Sequence, residues 1–150
     1  MDTHRFMGAH GATLKISLQD GWVQTEHEGQ TVLLASDTLS PAFDDSLLIR
    51  WVEGPVLDDA TWHAQTLQMH RRGVPDFQLI DEHVIPGRSR HTFLCTGNRG
   101  LSLIIHHLQL SSHGAGAALT VSTLPLTDST QSAAVDEMLE SALLSVQEDR

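Results

Sequence analysis

The chain has 150 residues, 40% of them hydrophobic and 19% charged, which sets it apart from disordered chains and lets it bury a core without staples. Its net charge is −10, with nine lysines and arginines in all, too few for the basic face that nucleic acid requires. One cysteine, Cys95, excludes an intrachain disulfide, and no run of 18 apolar residues is present to insert in a membrane.

The opening MDTHRFMGAHG has no signal-peptide core, so a cytoplasmic protein with a loose lead-in over 1–11 is expected. Thr13-Leu14-Lys15-Ile16-Ser17-Leu18 alternates strictly and predicts a strand with one buried face. Asp20-Gly21 turns into a strand from Trp22, and Thr31–Ser36 is another. Asp37–Asp45 reads as a loop. Ser46–Glu53 is apolar on both faces except at Arg50, as a central strand covered on two sides would be.

A helix follows, capped by Asp58 or Asp59, with Leu57, Ala60, Ala64 and Leu67 as its apolar stripe. Arg71 and Arg72 suit its last turn, and Gly73 suits a left-handed cap. Phe77–Ile85 returns as a strand before the Pro86-Gly87 turn. The centre of the chain is a hairpin of two long strands, Ser89–Thr96 and Leu101–Leu110, joined at Gly97-Asn98-Arg99-Gly100. Ser111–Gly116 reads as a flexible loop and Ala118–Leu124 as the last strand. A final helix capped by Thr127 or Asp128 carries the stripe Val135, Met138, Leu139, Ala142, Leu143 and Val146, and residues 147–150 fray.

Strands joined by tight turns are antiparallel. The fold class expected is therefore α+β, a single domain with a mostly antiparallel sheet of six to eight strands and two helices packed on it. Trp22, Trp62 and Phe93 are the expected aromatic filling between sheet and helices.

This order resembles the PsbP-like fold shared by PsbP, the DcrB family, LpqN-type lipoproteins and the Eag-type chaperones of type VI secretion. Leu14-Ile16-Leu18 with Asp20-Gly21-Trp22 is similar to their opening strand, and Gly73–Ile80 to their helix-to-strand passage. Pro86-Gly87 stands at their central turn and Leu143-Leu144-Ser145 at their closing helix. No lipid-bearing N-terminal cysteine is present. The resemblance thus implies the chaperone-like members, whose activity is binding and whose apolar sheet surface shields membrane-inserting segments.

The expected function is a non-enzymatic adaptor or chaperone for a secreted or membrane-associated protein with an apolar segment, with a homodimer allowed. Leu47, Ile49, Trp51, Phe93 and Ile104 are the candidate partner-binding residues. The alternative is a small-ligand or metal-binding protein. If Asn98-Arg99 forms a two-residue loop, Phe93 pairs with Ile104, His91 opposes His106, and His107 points away beside Arg90. Asn suits that turn and Arg does not. Two imidazoles are half of a tetrahedral site, so no metal and no cofactor is assigned. His63 and His70, seven apart, read as a polar helix surface, and Cys95 as a small core residue. Asp44-Asp45 and Asp58-Asp59 read as turns and caps, so no catalytic residue is named.

Overall fold

The computed structural model describes residues 2–8, 11–18, 22–27, 30–35, 46–52, 58–97, 100–123 and 129–146. In chain order these form β1 (Asp2–Met7), β2 (Ala12–Leu18), β3 (Trp22–His27), β4 (Gln30–Ala35), β5 (Ser46–Trp51) and α1 (Asp59–Gly73). There follow β6 (Gln78–Ile85), β7 (Arg88–Thr96), β8 (Ser102–Ser112), β9 (Ala115–Thr123), α2 (Ser129–Ser141) and β10 (Leu143–Val146). The class is α+β, as expected. The loop 37–45 with Asp44-Asp45, Leu57, the caps Thr127 and Asp128, the tail 147–150 and the side chain of Trp22 lie outside what is described.

Seven strands make one antiparallel sheet in the order β3-β4-β5-β9-β8-β7-β6. A second sheet, β1-β2-β10, is also antiparallel. Residues 2–7 are thus a strand, not a loose lead-in: Phe6 pairs with Leu14 and is buried. Their own pattern is weak, but β2 offers an unpaired edge, and strand formation depends on such context.

Alternation decides which layer each residue joins. On β2, Ala12, Leu14, Ile16 and Leu18 turn inward and are buried. They meet Leu47 and Ile49 of β5, Leu108 and Leu110 of β8, and Leu119 and Val121 of β9, together with Met138 and Leu139 of α2. This apolar core lies on one face of the seven-stranded sheet. Helix α1 packs on the other face, against β7. The molecule is therefore layered, with α1 outermost, the large sheet in the middle, and α2 with the small sheet behind.

Several turns differ from expectation. Ser111–Gly116 is a tight hairpin, with His113 (φ 48) and Gly114 (φ 82) both left-handed as a primed two-residue turn demands. Helix α1 runs through Gly73 and stops at an extended Val74, and Asp76 (φ 56) takes the left-handed position instead. Its Thr96 partner, donating to Asp76 Oδ2 at 2.8 Å, holds that turn. The closing helix ends at Ser141, because residues 143–146 pair with β2, and Leu143 is exposed. Arg88 serves the end of α2, donating to the carbonyls of Leu139 and of Ala142, the latter at 2.9 Å.

Candidate functional site

The β7–β8 hairpin closes through a longer loop than two residues. Thr96 pairs with Ser102, and the Gly97 amide donates to the Leu101 carbonyl at 2.7 Å. The register is therefore one residue off the expected one: His91 faces His107, Thr92 faces His106, and Phe93 faces Ile105 rather than Ile104. Because strands alternate, a one-residue shift exchanges faces. His107 shares the α1 side with His91, and His106 lies on the opposite side beside Arg90.

Helix α1 completes the cluster. Asp58 caps it, accepting from the Ala60 amide at 3.2 Å. In the first turn Asp59 accepts from the Gly87 amide at 2.7 Å and from the Ser111 hydroxyl, fastening the helix to the sheet. These carboxylates are caps and anchors. Of the expected stripe, Ala60 and Ala64 are exposed and Leu67 is half-buried; the buried residues of the helix are His63 and Thr66, with His70 half-buried. The reason is the sheet beneath, whose α1 face carries His91, His107, Gln109 and Thr120, so a polar stripe meets polar strands.

Four imidazoles thus pack together. Ring centroids of His70, His91 and His107 form a triangle with all three sides 5.0 Å, and His63 stands 5.3 Å from His91. His70 Nδ1 lies 2.8 Å from His91 Nε2. His107 Nδ1 lies 3.0 Å from the Thr120 hydroxyl, and His63 Nε2 lies 2.9 Å from Glu82 Oε2. The Gln109 amide donates to Thr66 Oγ1 at 2.9 Å. Phe93 and Phe77, 4.7 Å apart, wall the cluster on one side.

Burial favours the neutral form of His70, His91 and His107. His91, fully buried, is pushed down to about 3, first by loss of water and then by His70 and His63. His107 is held well below the usual range by burial and then by His91, His70 and Arg50. Burial and Arg50 lower His70 as well. Behind the sheet, His106 falls to about 4 through burial and the neighbouring Arg90, which donates to its Nδ1 at 3.0 Å and to Asp136 at 2.6 Å. Among the described residues no three donors converge as metal ligands do.

The other candidates lie elsewhere. Leu47 and Ile49 are wholly buried in the apolar core, and Phe93 is buried under α1, so none of the three is presented to a partner. Trp51 packs half-buried against that core, and Ile104 is half-buried on β8. Cys95 is buried, and loss of water raises its thiol pKa, which suits a core residue. Among the described residues, four of the seven exposed large apolar side chains lie instead on β6, one of the two edge strands of the large sheet, where all eight residues are exposed. Ile80 and Ile85 are each 56% exposed, and Leu79 and Val84 are also open. In the sequence the acidic pair Asp81-Glu82 at the middle of this strand separates its apolar ends and masks the surface they form.

No family model and no curated protein matches the chain. Solved structures do. LpqN, involved in cell envelope biogenesis of Mycobacterium tuberculosis, matches with TM-score 0.63 and 14% identity over 96% of this chain and 91% of that chain. A Pseudomonas aeruginosa protein described as a putative regulator matches with TM-score 0.64 and 14% identity over 99% of both chains. The Saccharomyces cerevisiae Ran-binding protein Mog1p matches with TM-score 0.60 and 12% identity, covering 97% and 96%. The chain is similar to these three proteins in fold, across nearly the full length of each.

Proposed function

We propose that the protein is a non-enzymatic binding module of PsbP-like fold that docks an extended protein segment along β6. The observation that carries this is an edge strand of eight residues, exposed throughout, with apolar side chains at both ends. Its outer edge pairs with no described strand, and natural proteins cover such an edge, interrupt it or use it for a partner strand. The irregular register at Leu79/Asp81 and the acidic centre limit pairing with a second copy of the same strand. Asp81 and Glu82, in a chain of net charge −10, favour a segment with a basic residue flanked by apolar ones.

The fold likeness to LpqN supports the PsbP-like assignment, and that to a Ran-binding protein supports protein binding. The partner we favour is a secreted or membrane-associated protein met in the cytoplasm. Absence of an intrachain disulfide fits that compartment. No described helix is long and apolar enough to cross a membrane.

The test is affinity capture from native cell extract with wild type and with an Ile80→Lys, Val84→Lys double variant. One stoichiometric partner held by wild type and lost by the variant, at an unchanged melting temperature, is the expected result. A partner held equally by both, or none held by wild type, refutes docking on β6.

A further inference from the structure

His63, His91 and His107 each commit one ring nitrogen to a neighbour and leave the other buried with no hydrogen-bond partner among the described residues: Nδ1 of His63 and of His91, Nε2 of His107. Gln109 Oε1 is in the same condition. Four such atoms in one cluster stand out, because most buried polar groups are paired. Behind His63 is a carboxylate, which only accepts and so holds the Nε2 proton and leaves a lone pair on Nδ1; behind His107 the Thr120 hydroxyl can accept the Nδ1 proton in the same way. Ligating imidazoles are oriented in this way.

The spacing agrees. Imidazoles on one tetrahedral zinc, with Zn–N of about 2.0–2.1 Å, set their ring centroids about 5.2 Å apart. The triangle of His70, His91 and His107 has sides of 5.0 Å. We propose that His70, His91 and His107, with His63 beside them, form a site for one divalent transition-metal ion of the zinc, nickel or copper type. An all-imidazole donor set suits those ions.

The three donors do not yet converge, and the contact between His70 and His91 explains why. Their nitrogens share one proton across 2.8 Å, whereas two nitrogens on one tetrahedral ion lie about 3.3 Å apart. The ion takes the place of that proton, which moves to the far nitrogen of the ring that carries it, so that each imidazole stays neutral. His70, half-buried in the last turn of α1, is the ring with room to turn. Glu82, behind His63, compensates the added charge, and Arg50, facing His70 and His107, opposes it. His107 binds through Nε2, with Thr120 as its positioning residue.

The test uses the untagged full chain, stripped with chelator and titrated with Zn²⁺ and Co²⁺. One Zn²⁺ per chain is expected at micromolar or tighter affinity, with a higher melting temperature. X-ray absorption should show nitrogen neighbours at about 2.0–2.1 Å. Co²⁺ should give the strong visible bands of four-coordination. His70→Gln and His107→Gln should each weaken Zn²⁺ at least tenfold, and Thr120→Val about tenfold, as loss of an orienting neighbour does. His83→Gln and His113→Gln, at exposed positions, should leave it unchanged. Failure of wild type to bind, an octahedral Co²⁺ spectrum, or undiminished binding by His70→Gln overturns the site. Should His107→Gln not fold, His70→Gln and the wild-type absorption spectrum decide alone.

Discussion

His63 Nε2 on α1 meets Glu82 Oε2 on β6 at 2.9 Å, so the helix covering the histidine cluster is fastened to the strand at the sheet edge. Replacing Glu82 with Ala strands a buried imidazole, whose other nitrogen already lacks a partner. The expected loss is about 1–2 kcal/mol, the cost of an unsatisfied buried group. Hydrogen exchange of β6 amides should quicken in the same variant. Equal denaturation midpoints for Glu82→Ala and wild type would show that the contact contributes nothing.

Metal-free protein should lose stability in acid. His91 titrates at about 3 and His106 at about 4 in the fold, against about 6.5 when unfolded, so unfolding takes up protons. Their contribution is whole above pH 6.5 and is lost as pH falls from there toward 4 and 3. Between pH 7 and 5 these two rings together should cost about 4 kcal/mol, with His70 and His107 lowering stability in the same direction. Urea midpoints at pH 8, 7, 6 and 5 check this, and a flat profile refutes it.

Arg88 holds the last carbonyls of α2, at Leu139 and Ala142. Arg88→Met keeps the apolar stem but removes both charged donors from those half-buried oxygens. A loss of about 2–3 kcal/mol in denaturant is expected. A loss under about 0.5 kcal/mol, the range of ordinary surface changes, would mean that water replaces the guanidinium without penalty.

Two glycines should respond differently to a methyl group. At Gly8 a Cβ would stand 2.5 Å from a ring carbon of Trp51, a rigid indole packed on the core. At Gly97 the nearest atom, also at 2.5 Å, is the mobile end of Leu103. Gly8→Ala should cost about 1–3 kcal/mol, as overpacking does, and Gly97→Ala distinctly less. The two urea curves, run side by side, decide it.

The strands were legible where apolar residues alternate, as in β2, and the β7–β8 hairpin where strand formers flank glycines. Its register was not. Asn98-Arg99 invites a two-residue loop, yet closure between Gly97 and Leu101 moves the pairing by one and puts His107 where His106 was expected. The buried face of α1 was hidden for a related reason. An Ala and Leu stripe looks like the inner one only when the surface beneath is apolar, and here that surface carries His91, His107 and Gln109. Polar residues at 63, 66 and 70 share one helical face, which reads as a solvated surface in sequence and in the fold meets the polar strand face. Strand β1 carries little signal of its own because its pairing partner supplies the order.

Strand β2 receives β1 from the residues just before it and β10 from residues 143–146. During synthesis, β2 therefore emerges with one neighbour and waits for the other until more than 120 further residues have been made, about the span from Leu18 to Leu143. Its inward Leu14, Ile16 and Leu18 stay uncovered over that interval, because the strands and helix that bury them are also downstream. Pairing across so long a stretch of sequence is slow to close. Growing chains halted before residue 143 should thus be sticky and protease-sensitive, and the pairing of β10 with β2 should mark the moment at which this fold becomes resistant.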